Sequence, residues 1–360
     1  MSVLTKRIRT SAEQIHKDIM RAKKPSLQFP VRSLQNVQYN RRKGFFALGK
    51  KRKARTLTVN TVKTFAQTLK MIATSKTLVD TKEIATKREM YYISKNWGEA
   101  RFLEQEESDS IMDDVEAFFL VNREQLGFIP EEKGGDVAGR LVIKDKDPVT
   151  EKVLRIDCTR FGSGAYSIPI SVEDLGFETK ARVILAIETA GMFQRLVKHR
   201  FWAKYNCILI SLGGVPTRAC RRFIRRLSDT CKLPVYAFMD GDPYGYCNIY
   251  RTLKVGSGNA AHINEYFCVP KATFLGVTPQ DILDYKLPTH PLKEVDIKRA
   301  RDALKNDPFV KSHPPWQKSL EQMLEMGVRV EQQAFAAHGL NHVLEVYLPE
   351  KLKNTGHFLP

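Results

Sequence analysis

The stretch PVYAFMDGDPYGYCNIYRTLKVG, Pro234–Gly256, decides how the chain folds. An apolar run of strand length ends in two carboxylates, Asp240 and Asp242, and stops at a Pro-Tyr-Gly turn before a helical pattern begins. Working outward, the same alternation recurs upstream. RVILAIE, Arg182–Glu188, is an apolar run followed by helical AGMFQRLVKHR. CILIS, Cys207–Ser211, precedes helical TRACRRFIRRLSDTC. Strands alternating with helices of ten to fifteen residues specify a parallel α/β sheet. From TPQDILDY, Thr278–Tyr285, onward the chain reads as mostly helical, with breaks at HPL and HPPW.

A parallel sheet presents the C-terminal ends of its strands along one edge, and ligands bind in the crevice there. Glu188 ends one strand, Asp240 ends another, and Asp242 follows after a glycine, so two strands deliver three carboxylates to one rim. Like charges brought together raise one another's cost of ionisation unless a cation neutralises them. Oxygen-only donors on a rigid turn suit Mg²⁺, which binds through one or two carboxylates plus substrate phosphates. Taken alone, an Asp-x-Asp is a weak signal, more often a helix cap or turn carboxylate; the apolar strand before it, the Pro-Tyr-Gly stop after it and the earlier strand ending in Glu favour the metal.

The remainder of the chain carries the opposite charge. Of 360 residues, 58 are Lys or Arg against 40 Asp or Glu, a formal net charge of +18. That excess points to a polyanionic partner, nucleic acid first. The six cysteines show neither C-x-x-C spacing nor histidines at zinc-finger distances, so they read as thiols of a reducing compartment. No run approaches the apolar length of a membrane span, and the expectation is an intracellular, soluble protein. No G-x-x-x-x-G-K-[ST] loop is present, and GSGN at 256–259 lacks the surroundings of a nucleotide loop.

The N-terminal 57 residues read as a basic arm or one short helix followed by a hairpin, SLQNVQYN, RRKG and FFALGKK. Eight of the fifteen residues from Arg41 to Arg55 are basic, and they read as phosphate contacts, a nuclear-import signal or a solvated hairpin rim. From Thr58 three helical patterns follow: TVNTVKTFAQTLKMIATSKTLV, TKEIATKREMYYISKNW and DSIMDDVEAFFLVNREQLG. The short strands GRLVIKD, KVLRIDC and AYSIPIS come next. Three helices and then a small sheet is the order of a winged helix-turn-helix, so the fold class expected is mixed α/β: a winged-helix domain over 58–150 ahead of a parallel-sheet domain over 151–360. The arginines of RRFIRR, Arg221–Arg226, are either groove contacts or a solvated helix face.

Two adjacent tyrosines sit in the second helical pattern. At 3.6 residues per turn Tyr91 lies above Ile84 and beside Met90 and Trp97, in the apolar arc, whereas Tyr92 lies one turn above Arg88 on the polar side. A phenol is a poor nucleophile near neutrality unless a cation stabilises the phenolate. Arg88 is placed to do that or to bind a phosphate oxygen; the alternative is an amphipathic helix with an exposed tyrosine.

These segments, with NVQYNRRKGFFALG, KREMYYISKNWGEARF, VILAIE, DGDPYGYCNIYRTLKVGSGNAAH, RVEQQAFAAHGL and VYLPEKL in order over roughly residues 33–355, resemble the A subunits of DNA topoisomerase VI, a type IIB family related to the meiotic double-strand-break transesterase. The resemblance implies that the parallel-sheet region is a Toprim domain with a helical C-terminal extension, binding Mg²⁺ through Glu188, Asp240 and Asp242. From the Arg-x-x-Tyr-Tyr pattern it implies Tyr92 as the nucleophile and Arg88 as its essential arginine. It implies double-stranded DNA as substrate, a homodimer in which the tyrosine of one subunit works with the metal site of the other, and a GHKL-type ATPase B subunit completing a heterotetramer of two A and two B. The alternatives are a break-forming transesterase without strand passage, a Toprim nuclease, or a non-catalytic DNA-binding protein.

Overall fold

Residues 3–130 and 134–360 are described by the computed structural model. Their contacts separate into two units: residues 3–38, 46–130 and 257–265, and residues 39–45, 134–256 and 266–360.

In the first unit the basic N-terminus is one helix of 18 residues, Val3–Met20, with Ile8 and Ile15 buried. Ser26–Pro30 pairs antiparallel with Arg52–Thr56, so the basic KKRKAR segment is largely a strand. Part of its charge is neutralised within the unit: Arg55 donates to Asp114 Oδ2 at 2.6 Å and to Thr68 Oγ1 at 2.7 Å, and Arg32 to Asp114 Oδ1 at 2.7 Å. The expected helix over 58–79 is Val62–Thr81. It buries Phe65 and Ile72 as its period predicts, while Val62, in the first turn, stays exposed.

The second helical pattern is broken. Ala85–Thr86 forms a short strand against Phe128–Ile129, and the helix proper is only Lys87–Ile93. The Thr86 side chain accepts from the Glu89 N–H, and the Glu89 carboxylate accepts from the Thr86 N–H. This capping box starts a new helix just where the period suggested continuity, so Ile84 is not on Tyr91's helix and is exposed. The third helix, Gln105–Phe119, closes the core with Ile111, Met112, Val115 and Phe119.

The strands expected as a wing fall in the second unit. Leu141–Lys146 and Val153–Asp157 form an antiparallel sheet with Gly176–Thr179, and Tyr166–Ser167 joins the edge of the large sheet. All belong to the second unit. The cause is Asp136–Gly139, which pairs antiparallel with Cys207–Ser211 and anchors the following chain there.

The second unit is built on a six-stranded sheet in the order Tyr166–Ser167, Asp136–Gly139, Cys207–Ser211, Val183–Ile187, Val235–Phe238, Ala272–Gly276. The last four are mutually parallel. All five residues of Val183–Ile187 are buried, as expected for a central strand covered on both faces. Each of its valine, isoleucine and leucine side chains contributes roughly 1.5–3 kcal/mol of burial. The helices Ala190–Lys198 and Arg218–Cys231 fall where the sequence placed them, the second capped by the Thr217 side chain accepting from the Cys220 N–H. Its arginines have partners within the protein. Arg221 is buried, Arg222 is paired with Glu173 and Arg225 with Asp229, and Arg226 donates to the Val172 carbonyl. Protein acceptors packed over the helix take up the guanidinium groups. Among the described residues no helix is long and apolar enough to cross a membrane.

Candidate active site

Ile187 is the last residue of its strand to pair, opposite Ser211 on one side and Phe238 on the other. Glu188 therefore steps off the sheet at its C-terminal edge. Its N–H donates to the Phe238 carbonyl at 3.0 Å and its carbonyl accepts from the Gly214 N–H at 3.1 Å. Only 8% of the residue is exposed. The neighbouring strand continues through Met239, which exchanges 2.7 Å main-chain bonds with Gly276 and Val277, and then delivers Asp240.

The three carboxylates reach one rim, held by main-chain donors. Glu188 Oε2 accepts from the Asp240 N–H at 2.9 Å, and Asp240 Oδ1 from the Gln332 N–H at 2.8 Å. Asp242 Oδ1 accepts from the Gly245 N–H at 2.6 Å, a capping bond at the start of the following helix, so the cap reading of the Asp-x-Asp is realised for Asp242 as well. A Cβ on Gly245 would stand 3.4 Å from both Glu188 Oε2 and Asp242 Oδ1; the two groups flank one point. Among the described residues, no three His, Cys, Asp or Glu side chains converge as a ready-made metal cage. Each carboxylate is turned instead to an N–H.

The electrostatics are those of a site short of positive charge. Burial, then the charges of Asp240 and Asp242, push the Glu188 carboxyl up to about 8. Burial likewise pushes Asp240 up to about 6 against the pull of the Gln332 N–H, and raises Asp242. Arg329 offers partial relief, its guanidinium 4.0 Å from Asp242 Oδ2. Buried, oxygen-only donors that share one weak cation fit a hard divalent ion, whose arrival would replace the protons.

Tyr92 and Arg88 lie four apart in the Lys87–Ile93 helix, sharing a face, and both are exposed, Tyr92 at 57%. Tyr91 is half-buried against the core of its unit, donates its hydroxyl to the Leu103 carbonyl at 2.9 Å, and lies under Lys95, whose Nζ is 3.9 Å from the ring centre. The two phenols are thus separated as the polar and apolar sides of one helix, although the helix is shorter than the period suggested.

Sequence reasoning missed Gln332, Thr189 and Arg329. Gln332 is fully buried, donates its Nε2 to the Phe238 carbonyl at 2.7 Å, and accepts from Thr189 Oγ1 at 2.8 Å. RVEQQAF was visible as a segment, but no period or spacing pairs a glutamine with an aspartate 92 positions upstream.

Three family profiles match the chain in order. Residues 63–128 match the type IIB DNA topoisomerase profile, and 131–181 match the all-beta domain of the DNA topoisomerase VI alpha chain. Residues 183–352 match the Toprim domain shared by topoisomerase 6 A subunits and Spo11. The carboxylate rim thus lies in a Toprim domain. Curated relatives match over nearly the whole length. The A subunit of type 2 DNA topoisomerase 6 from Methanocaldococcus jannaschii is 57% identical over 97% of this chain and 94% of its own. Proteins of the same name from Archaeoglobus fulgidus and Methanothermobacter thermautotrophicus are 38% and 36% identical, each over 96% of this chain and 95% and 96% of their own. The chain belongs to the family of type 2 DNA topoisomerase 6 A subunits.

Proposed function

We infer that the chain is the DNA-cleaving subunit of a type IIB DNA topoisomerase, and that Tyr92 forms a reversible link to DNA, assisted by a divalent metal held by Glu188, Asp240 and Asp242. The observation that carries the reading is the buried carboxylate rim itself: three acids pushed toward their neutral forms, on oxygen donors suited to Mg²⁺, in a chain with a net charge of +18. The full-length match to topoisomerase subunits supports this over a break-forming transesterase without strand passage, a nuclease or a passive DNA-binding protein.

In this reading the Tyr92 Oη attacks a backbone phosphorus. The Oη–P bond forms, the P–O3′ bond breaks, the phenol loses its proton, and the 3′ oxygen gains one as it leaves. Tyr92 stays esterified to the 5′ phosphate, so the bond energy is kept and the 3′ hydroxyl can reverse the step. Arg88, on the same helix face, binds a non-bridging oxygen or stabilises the phenolate. Bound at the rim, the cation supplies charge neutralisation of the phosphate and of the leaving oxygen. The Asp240 N–H orients the Glu188 carboxylate, and the Gln332 N–H orients that of Asp240.

The helix–strand–helix–helix–strand run from Val62 to Ile129 supports a winged-helix reading of the DNA-binding part, with the pairing of Ala85–Thr86 and Phe128–Ile129 in place of the wing first expected. Cutting both strands takes two copies. Membership of a family of A subunits supports a separate partner, the ATPase B subunit, in a heterotetramer of two A and two B.

The test is to incubate end-labelled duplex with the protein, Mg²⁺ and the ATPase partner, then denature. Label carried on protein through a 5′ phosphate is expected, and none with Tyr92→Phe. Free 5′ phosphates formed equally by Tyr92→Phe would replace this reading with a hydrolytic one.

A further inference from the structure

We propose that Gln332 is a positioning residue for the metal site, pinning the ends of the two ligand-bearing strands so that Glu188 and Asp240 are aimed before a cation arrives. The inference rests on the reading of Glu188, Asp240 and Asp242 as the metal-binding trio.

Regular pairing between these strands ends at Ile187 and Phe238; the ligands lie beyond it. Gln332 takes over there. Its side-chain Nε2 donates to the carbonyl of Phe238, two residues before Asp240, at 2.7 Å. Its Oε1 accepts from the hydroxyl of Thr189, the residue after Glu188, at 2.8 Å. Its main-chain N–H donates to Asp240 Oδ1 at 2.8 Å. The Phe238 carbonyl also accepts the Glu188 N–H at 3.0 Å, and Glu188 Oε2 accepts the Asp240 N–H at 2.9 Å, which closes a ring through both ligands. The segment carrying Gln332 is held in turn: Gly241 and Val330 exchange main-chain bonds of 2.8 and 3.1 Å.

An uncharged amide side chain offers a donor at one end and an acceptor at the other. A glutamate would set a carboxylate oxygen against the Phe238 carbonyl and add a further negative charge. A methionine would fill the volume and make neither bond. Burying an amide completely is unfavourable unless both ends are satisfied, and both partners here lie within two residues of a ligand rather than elsewhere in the core. Groups that orient metal ligands through such contacts typically change metal affinity ten- to hundredfold when removed.

The experiment measures Mn²⁺ binding to the full-length, metal-stripped protein without DNA, by calorimetry or electron paramagnetic resonance. The variants are Gln332→Met, Thr189→Val and Glu188→Gln. Gln332→Met is expected to weaken Mn²⁺ binding ten- to hundredfold with DNA affinity in EDTA unchanged. In adduct assays with the ATPase partner, half-saturation should move to higher Mn²⁺ while the plateau is retained, a split that mere loss of folded protein would not produce. Thr189→Val, which removes one of the bonds from outside, should weaken binding several-fold. Folded Gln332→Met with parental Mn²⁺ affinity overturns the inference; if that variant does not fold, parental affinity in Thr189→Val does so. Glu188→Gln separates the two levels. If it too leaves Mn²⁺ binding unchanged, the metal trio itself is wrong, whereas loss in Glu188→Gln alone removes only the role of Gln332.

Discussion

The Asp240 N–H donates to Glu188 Oε2 across 2.9 Å, joining residues 52 positions apart at the ends of adjacent parallel strands. This bond pulls the Glu188 acid down, but burial and the Asp240 and Asp242 charges outweigh it, and the net displacement is upward. The rim is therefore organised and under-neutralised at once, which is the state that a cation relieves.

A consequence for pH follows from the raised acids. With the Glu188 carboxyl pushed up to about 8, the folded, metal-free protein holds a proton that the unfolded chain releases near the ordinary range of about 4.3. The folded state binds more protons across that window, so its stability falls as pH rises through it. Between pH 5 and 8 the metal-free protein should lose on the order of 2–4 kcal/mol relative to Glu188→Gln, read from denaturant midpoints, and saturating Mg²⁺ should abolish the decline. A pH-independent difference between the two would contradict the raised acid.

The two tyrosines should separate cleanly. Tyr92→Phe should remove the protein–DNA adduct while leaving thermal stability unchanged, because the side chain is exposed. Tyr91→Phe loses the bond to the Leu103 carbonyl, costing about 1 kcal/mol, and keeps at least part of the adduct. Equal adduct yields from the two would show the wrong phenol had been assigned.

Gly245 admits no side chain. A Cβ there would lie 2.7 Å from the Asp240 carbonyl oxygen, a main-chain atom that cannot swing away, and 3.4 Å from two of the acids. Gly245→Ala should cost about 1–3 kcal/mol by overpacking and raise the Mg²⁺ needed for adduct formation. Parental melting and parental Mg²⁺ dependence together would mean that the turn is looser than these contacts require.

The arginine-rich helix offers a contrast between charge count and charge use. The Arg222 guanidinium bridges both Glu173 oxygens at 2.6 and 2.8 Å and reaches the Tyr266 carbonyl at 3.1 Å. Arg222→Ala should cost about 0.5–1 kcal/mol of stability, since Glu173 is partly exposed, and leave the salt dependence of DNA binding unaltered. Each phosphate contact adds about 0.9 to that slope, so a drop of one unit in the variant would return this arginine to the DNA surface.

Much of this was readable in the chain. The strands ending in Glu188 and Asp240, the turn at Asp242 and the common face of Arg88 and Tyr92 follow from period and punctuation, which act over a few residues: apolar runs are buried, Pro and Gly stop them, and four-residue spacing stacks side chains on a helix. Even the capping box that shortens the tyrosine helix is local, written in Thr86 and Glu89, though the helical period masked it.

Other features were decided only when distant segments met. Leu141–Lys146 reads as a strand on any account, but its place in the second unit is set by Asp136–Gly139 finding Cys207–Ser211. RRFIRR reads as free positive charge until Glu173 meets Arg222 and the Val172 carbonyl meets Arg226. Gln332 carries no local mark at all. The reason is common to the three cases: periodicity reports which face of an element is buried, whereas the partner of a buried polar group is whichever donor or acceptor the completed packing brings within about 3 Å, and leaving that group unpaired costs more than any local preference supplies.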